Sequence, residues 1–182
     1  MKDNIVLIGF MGTGKTAIGI RLAQMLNRTF VDTDTEITKI LGMTVAEIFR
    51  KLGEVRFRSE EKLLIEKLSQ RKSLVISTGG GVALNSDNLY ILKQNSMVIC
   101  LQASPEEILA RVSRKKGSRP FLGKDVTIDL IKSMLEERIP YYSQADYIIH
   151  TDQKDFPKIC QEIIAFFELE TGHSKTDIAE QK

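Results

Sequence analysis

Eight residues near the start of the chain have the types and spacing of a phosphate-binding loop. Residues 9–16 read Gly-Phe-Met-Gly-Thr-Gly-Lys-Thr and fit the pattern G-x-x-x-x-G-K-[ST]. Glycines let the backbone turn its N–H groups toward phosphate oxygens, the lysine adds a positive charge, and the last hydroxyl is a ligand for Mg²⁺. The predicted phosphate and nucleotide contacts are Gly12, Thr13, Gly14, Lys15, Thr16 and Ala17.

Two aspartates follow the second predicted strand, which covers residues 29–31. Ligands of open α/β sheets bind at the carboxyl ends of the strands, so Asp32 and Asp34 are expected to face the phosphate loop. The alternative is that one caps the next helix and the other lies in a solvated loop. The third predicted strand ends without an aspartate, which leaves Asp32 as the nearest acid to organise a metal ion.

Two arginines, Arg58 and Arg138, lie on predicted helices where their side chains could pair with a carboxylate or a bound anion. Arg58 shares a stripe with Glu54 and Glu61, and this pattern alone favours an ordinary surface ladder of ion pairs. Arg138 falls within the apolar arc of a helix over residues 126–139. A buried guanidinium is costly without a partner, so Arg138 requires an internal carboxylate or a bound anion, and the spacing does not choose between them.

Flexible segments flank these charges. Thr78 is followed by Gly79, Gly80 and Gly81, more glycines than a simple turn requires, and this run predicts close approach of the backbone to a ligand. The chain becomes steadily basic up to Lys116, and the loop that follows at 117–124 is bounded by glycines and carries Arg119. This segment suits either a lid that closes over phosphates or a solvated surface loop.

Strands that alternate with helices predict a parallel sheet with helices on both faces. The five predicted strands cover 5–8, 29–31, 73–77, 97–101 and 147–150. After the helix that begins at the phosphate loop, helices are predicted over 35–41, 45–52, 54–70, 87–93, 106–116, 126–139 and 156–169. Pro140 is expected to end the helix before it, and Thr44 with Glu47 to form a capping box.

Composition limits the range of functions. The 182 residues suit one domain, and a net charge of +2 gives no general attraction to nucleic acid. Cys100 and Cys160 lie in apolar patterns typical of buried thiols, which fits a reducing cytoplasm. No secretion signal or membrane-length apolar run is present, and the two histidines lack metal-ligand spacing. We expect no membrane or nucleic-acid partner, and a polar, disordered tail at 171–182.

Phosphate loops serve kinases, motors and GTPase switches. The guanine-specific patterns D-x-x-G and N-K-x-D are absent from the sequence, and the chain is too short for a motor's coupling domain. A carboxylate near the phosphates, inward arginines and a basic lid favour a small kinase instead.

The motifs, taken together, resemble the shikimate kinase family over residues 5–167. Besides the phosphate loop they comprise Asp32-x-Asp34, Gly53-Glu54-x-x-Phe57-Arg58-x-x-Glu61, Gly79-Gly80-Gly81, Arg119-Pro120 and Arg138 followed by Tyr142. The resemblance implies a nucleoside monophosphate kinase-like, three-layer fold of the phosphate-loop class in one kinase domain at 1–170. Its acceptor-binding region would cover 33–61 and its lid 112–124. The implied reaction is ATP-dependent phosphorylation of the 3-hydroxyl of shikimate, with Mg²⁺, in a cytoplasmic monomer.

The resemblance also implies a role for each matching residue. Asp34 would be the catalytic base, and Arg58 and Arg138 would clamp the shikimate carboxylate. Glu61 would hold Arg58, while Thr16 would bind Mg²⁺ directly and Asp32 through water. Lys15 and Arg119 would stabilise charge on the transferred phosphoryl group. The remaining implied contacts are Gly80, Gly81, Phe49 and Phe57 around shikimate, and Arg111 beside adenine.

Overall fold

The computed structural model describes residues 2–114, 126–152 and 154–172. At its centre is a five-stranded sheet in the order β2-β3-β1-β4-β5, with every neighbouring pair parallel. The strands are β1 (Asn4–Ile8), β2 (Thr29–Asp32), β3 (Leu74–Ser77), β4 (Ser96–Gln102) and β5 (Tyr147–His150). Both the number of strands and their parallel arrangement confirm the prediction.

Seven helices are present in the described residues, six of them between strands and the last after β5. They are α1 (Lys15–Met25), α2 (Thr33–Leu41), α3 (Val45–Ser69), α4 (Ser86–Asn95), α5 (Pro105–Ser113), α6 (Ile128–Tyr142) and α7 (Phe156–Thr171). A short 3₁₀ turn, Val82–Leu84, lies between β3 and α4. Among the described helices, none combines the length and the apolar character that crossing a bilayer requires.

Alternate side chains along the strands supply two separate cores. Val6 and Ile8 of β1 pack on the side covered by helices α2 to α6, whereas Ile5 and Leu7 pack on the side covered by α1 and α7. The same alternation in β3 and β4 gives strands that are buried on both faces, as parallel sheets require. The structure is therefore the expected three-layer α/β fold, with helices on both faces.

Several helix boundaries differ from the prediction. Helix α5 ends at Ser113 and not at 116, and α6 begins at Ile128 and not at 126. Helix α2 begins at Thr33, two residues early, because Asp32 caps it: Oδ1 accepts a hydrogen bond from Thr35 N at 3.1 Å. The helices predicted on either side of Gly53 form one element, α3, with a kink where Gly53 has φ 81°. The predicted stop at Pro140 is wrong, since α6 continues to Tyr142.

The continuation past Pro140 has a simple cause. Proline lacks an N–H group, which removes one hydrogen bond near the end of the helix, but the next turn still closes when Ser143 N donates to Ile139 O at 2.9 Å. Tyr142 is 3 % exposed and packs in the core. Burial of this ring therefore stabilises the last turn beyond the proline. The predicted capping box at Thr44 and Glu47 is confirmed.

Candidate active site

A cleft of about 730 Å³ opens at the carboxyl ends of the central strands. It is lined by most of the predicted site residues: Gly12, Gly14, Lys15, Thr16, Ala17, Asp32, Asp34, Phe57, Arg58, Gly80, Gly81, Arg111 and Arg138. Thr13 and Phe49 were predicted as contacts but do not line it. Residues 115–124 of the predicted lid, which include Arg119, lie outside the described residues.

The backbone of the phosphate loop curls around the side chain of its own lysine, Lys15. Gly12 and Gly14 have φ of 84° and 96°, a region that favours glycine, and α1 begins directly after them. Lys15 is 8 % exposed, and its Nζ donates to Gly9 O at 2.7 Å and to Phe10 O at 3.0 Å. Thr13 is buried and its hydroxyl donates to Phe10 O at 2.8 Å. The Thr13 side chain therefore braces the loop from inside.

Asp32 joins the phosphate loop to α2. One carboxylate oxygen caps the helix, and the other accepts a hydrogen bond from Thr16 Oγ1 at 3.0 Å. The alternative in which an aspartate serves as a helix cap thus holds for Asp32, but the same side chain also faces Thr16. This oxygen pair suits Mg²⁺, which binds few protein ligands and completes its shell with water and phosphate oxygens. No cluster of three or more His, Cys, Asp or Glu side chains suited to a metal occurs in the described ranges.

Asp34 is placed as an unusual carboxylate. It lies in the first turn of α2, and its Oδ1 is buried without a hydrogen-bond partner. Burial raises the pKa of Asp34 above its ordinary value, the nearby charge of Asp32 raises it further, and Lys15 and Arg58 act in the opposite direction. A carboxylate with a free, desolvated oxygen is suited to accept a proton.

Arg58 is held between one buried and one exposed carboxylate. Its Nη1 donates to both oxygens of Glu61 at 3.1 and 3.0 Å, and its Nη2 donates to Glu54 Oε1 at 3.1 Å. The Glu61 side chain is 1 % exposed, against 61 % for Glu54. Burial raises the pKa of Glu61 to about 7, although Arg58 pulls it down. The alternative of a surface ladder of ion pairs therefore holds only for the contact between Glu54 and Arg58. Glu61 is buried and fixes Arg58 from inside the protein.

Arg138 reaches the cleft from α6 and has mainly neutral neighbours. Its Nη1 donates to Gly80 O at 3.0 Å and to Tyr142 Oη at 3.4 Å, and its guanidinium lies 4.8 Å from the centroid of the Phe10 ring. None of the ion pairs formed by the described residues includes Arg138. Of the two alternatives, the geometry therefore favours a bound anion over an internal carboxylate.

Three successive glycines lie next to the three charged side chains of the cleft. A Cβ atom on Gly79 would lie 2.3 Å from Oδ1 of Asp34, and one on Gly81 would lie 2.6 Å from both terminal nitrogens of Arg58. A Cβ atom on Gly80 would lie 3.7 Å from Arg138 Nη1. The base candidate and both arginines thus converge on one short stretch of backbone. Side chains of the protein itself approach this backbone closely, and the predicted close approach of a ligand stays a prediction.

The aromatic wall differs in detail from the prediction. Phe57 lines the cleft, whereas Phe49 packs against Phe57 with ring centroids 4.9 Å apart and supports it. Sequence reasoning missed several lining residues: Met11, Val45, Thr78, Met134 and Phe156. The first four look like ordinary core or loop positions in the sequence. Phe156 lies at the start of α7 and is 40 % exposed, but this exposure is visible only in the structure, so the sequence carried no signal for it either.

The Arg111 guanidinium forms hydrogen bonds with three separate parts of the chain. Its Nη1 donates to Gly12 O at 3.2 Å and to Thr151 Oγ1 at 3.1 Å, and its Nη2 donates to Thr151 O at 3.2 Å. Glu107 Oε1 accepts from its Nε at 2.7 Å. The guanidinium therefore braces the phosphate loop against the residue that follows β5.

Comparisons with known proteins agree with this geometry. The shikimate kinase family model matches residues 11–168. A shikimate kinase of Pelotomaculum thermopropionicum is 50 % identical over 163 residues, which cover 90 % of this chain and 94 % of that protein. A second, from Desulforudis audaxviator, is 48 % identical over 173 residues, with 93 % and 90 % covered. The structure of Acinetobacter baumannii shikimate kinase in complex with shikimate superimposes with a TM-score of 0.87 at 37 % identity, covering 94 % of this chain and 96 % of that one.

Proposed function

This chain belongs to the shikimate kinase family, and we propose how its cleft carries out the family's reaction. The enzyme transfers the terminal phosphoryl group of ATP to the 3-hydroxyl of shikimate, a step toward chorismate and the aromatic amino acids. The observation that carries the assignment of roles is the convergence of Asp34, Arg58 and Arg138 on the glycine loop, Gly79 to Gly81, beside the phosphate loop.

The two arginines bind the acceptor's carboxylate. Arg58 and Arg138 lie on separate helices and approach adjacent glycines, so their guanidinium groups flank one small anion. Forked guanidinium donors match the two oxygens of a carboxylate, which a lysine does not. Glu61 keeps Arg58 in place through two hydrogen bonds, and Phe57 closes the wall beside it. The result is a slot suited to a rigid ring acid.

Asp34 accepts the proton of the acceptor hydroxyl. Its unpartnered Oδ1 and raised pKa both support this role, because a general base works best when its carboxylate is not already satisfied by the protein. Gly80 and Gly81 line the cleft beside it and would border the ring. Phe49 contributes by supporting Phe57.

The phosphoryl group is held from the opposite side. Backbone N–H groups of Gly12, Thr13 and Gly14 bind phosphate oxygens at the N-terminus of α1, and Lys15 and Arg119 stabilise the charge that develops during transfer. Ala17 borders the same phosphates, and Arg111 lies beside adenine. Thr16 and Asp32 would hold Mg²⁺, which would offset the negative charge of the phosphates.

Two further proposals concern the setting of the enzyme. We propose that the enzyme is active as a monomer. The thiols of Cys100 and Cys160 are buried and unpaired, which supports a reducing cytoplasm.

The test is an ADP-release assay with a panel of acceptors. We expect ATP- and Mg²⁺-dependent turnover with shikimate, and none with gluconate, an acid that lacks the rigid ring. Removal of Mg²⁺ by a chelator should abolish turnover, and added Mg²⁺ should restore it. Turnover with gluconate in place of shikimate would contradict the assignment of the slot.

A further inference from the structure

The hydrogen bond between Thr33 and Gly79 links the base to the glycine loop. Thr33 is the first residue of α2, is fully buried, and precedes Asp34 directly. Its Oγ1 accepts a hydrogen bond from Gly79 N at 2.8 Å. We propose that Thr33 and Gly79 are a positioning pair, which holds the Asp34 carboxylate at the point from which it removes the acceptor's proton. This inference rests on the proposed role of Asp34 as the base.

Gly79 fits the carboxylate because it has no side chain. The three atoms nearest to a Cβ on Gly79 would all belong to Asp34: Oδ1 at 2.3 Å, Cγ at 3.1 Å and Oδ2 at 3.3 Å. The Asp34 carboxylate therefore rests directly on the Gly79 backbone. Gly79 also has no positive φ, so an alanine there would meet a steric obstacle from Asp34 and no backbone strain.

This contact replaces the hydrogen bonds that usually orient a carboxylate. Oδ1 of Asp34 is buried and has no hydrogen-bond partner. A hydrogen bond donated to either oxygen would orient Asp34 but would also lower its affinity for a proton. Packing of Oδ1 against Gly79 orients the group and leaves the other carboxylate oxygen to accept the proton, and the bond from Gly79 N to Thr33 fixes the distance between the loop and α2.

The main test is Thr33→Val, which keeps the shape of the side chain and removes the acceptor. We expect kcat for shikimate to fall by roughly 10- to 100-fold, since displacements near 1 Å have effects of this size, while KM for ATP stays unchanged. Thr33→Ser keeps the acceptor oxygen and should restore kcat. Thr38→Val is the matched control, because Thr38 Oγ1 donates to Thr35 O at 2.7 Å within the same helix and away from the loop. It should leave kcat unchanged.

A double-mutant cycle separates positioning from general damage. If Thr33 acts through Asp34, Thr33→Val should cause no further loss of kcat in an Asp34→Asn background. Equal losses in both backgrounds, or an unchanged kcat in Thr33→Val alone, would overturn the inference. Near-normal turnover by Asp34→Asn alone would instead refute the proposed base, so the two failures are distinguishable.

Gly79→Ala tests the same pair if Thr33→Val does not fold. The new methyl group would force the carboxylate away by at least 0.7 Å, from 2.3 Å to the 3.0 Å that real contacts respect. We expect a lower kcat and a lower Tm. Removing the opposing carboxylate with Asp34→Ala should restore the Tm of Gly79→Ala. A Tm that stays low in the double variant would show that the methyl group clashes elsewhere and would overturn the inference.

Discussion

Replacing Glu61 with glutamine should remove a pH-dependent loss of stability from the native protein. Burial raises the pKa of Glu61 from 4.5 to about 7 in the folded state, so the native protein binds this proton more tightly than the unfolded chain does. The contribution of this bound proton to the free energy of unfolding is therefore complete below about pH 4.5, and it is lost as the pH rises through about 7. Glutamine has nearly the same shape and carries no proton that titrates in this range.

The size of the effect follows from the interval between the two pKa values. One pKa unit corresponds to ~1.4 kcal/mol, so the interval from 4.5 to about 7 corresponds to about 3 kcal/mol. The Glu61 side chain is 1 % exposed, so solvent screens it little. The pKa of Glu61 already includes the attraction of Arg58. The value of about 3 kcal/mol is therefore the net loss of unfolding free energy as the pH rises.

Urea unfolding between about pH 4.5 and about pH 8 measures this difference. The free energy of unfolding of the wild type should fall by about 3 kcal/mol relative to Glu61→Gln across that range. Glu54→Gln is the matched control, because Glu54 contacts the same arginine but its side chain is 61 % exposed; its curve should run parallel to the wild type. Parallel curves for wild type and Glu61→Gln would refute the reasoning.

Three further substitutions test the assigned roles. Asp34→Asn should lower kcat by about 10²- to 10⁴-fold, the range for a positioned base, with KM for ATP largely preserved in the ADP-release assay; near-normal turnover would remove its role. Arg58→Ala should weaken shikimate binding by roughly 1.5–3 kcal/mol through loss of a charge-assisted contact, measured by calorimetry, with little change for ATP. Unchanged shikimate binding with a lower Tm would leave Arg58 a purely structural ion-pair residue. Arg119→Ala should lower kcat by something on the order of 10³-fold, whereas a rise in KM for ATP alone would indicate ground-state binding.

The phosphate loop and the parallel arrangement of the strands could be predicted because each depends on local chemistry. Residues 9–16 require glycines at fixed places, and alternation of strands with helices restricts the sheet to a parallel arrangement. Pro140 shows the limit of a local rule. Its missing N–H favours a helix end, but burial of Tyr142 in the core outweighs that preference.

The site could be predicted only in part for a similar reason. The sequence indicated that glycines 79–81 allow a close approach, yet the approaching groups are Asp34, Arg58 and Arg138, which come from three different helices. Pairings over such separations depend on the final packing. Phe156 was missed because a single aromatic residue at a helix start fits a core position equally well, and its exposure is known only from the fold.

The three-glycine loop has a consequence for redesign of the enzyme. Each position already faces a side chain of the protein, so a larger residue at 79 or 81 would displace Asp34 or Arg58 before it touched a new acceptor. Attempts to widen acceptor range by mutating this loop should therefore yield inactive variants. Libraries directed at Val45 and Met134 offer a better route, since these apolar residues line the cleft, whereas the guanidinium of Arg58 lies over the Phe57 ring at 5.4 Å.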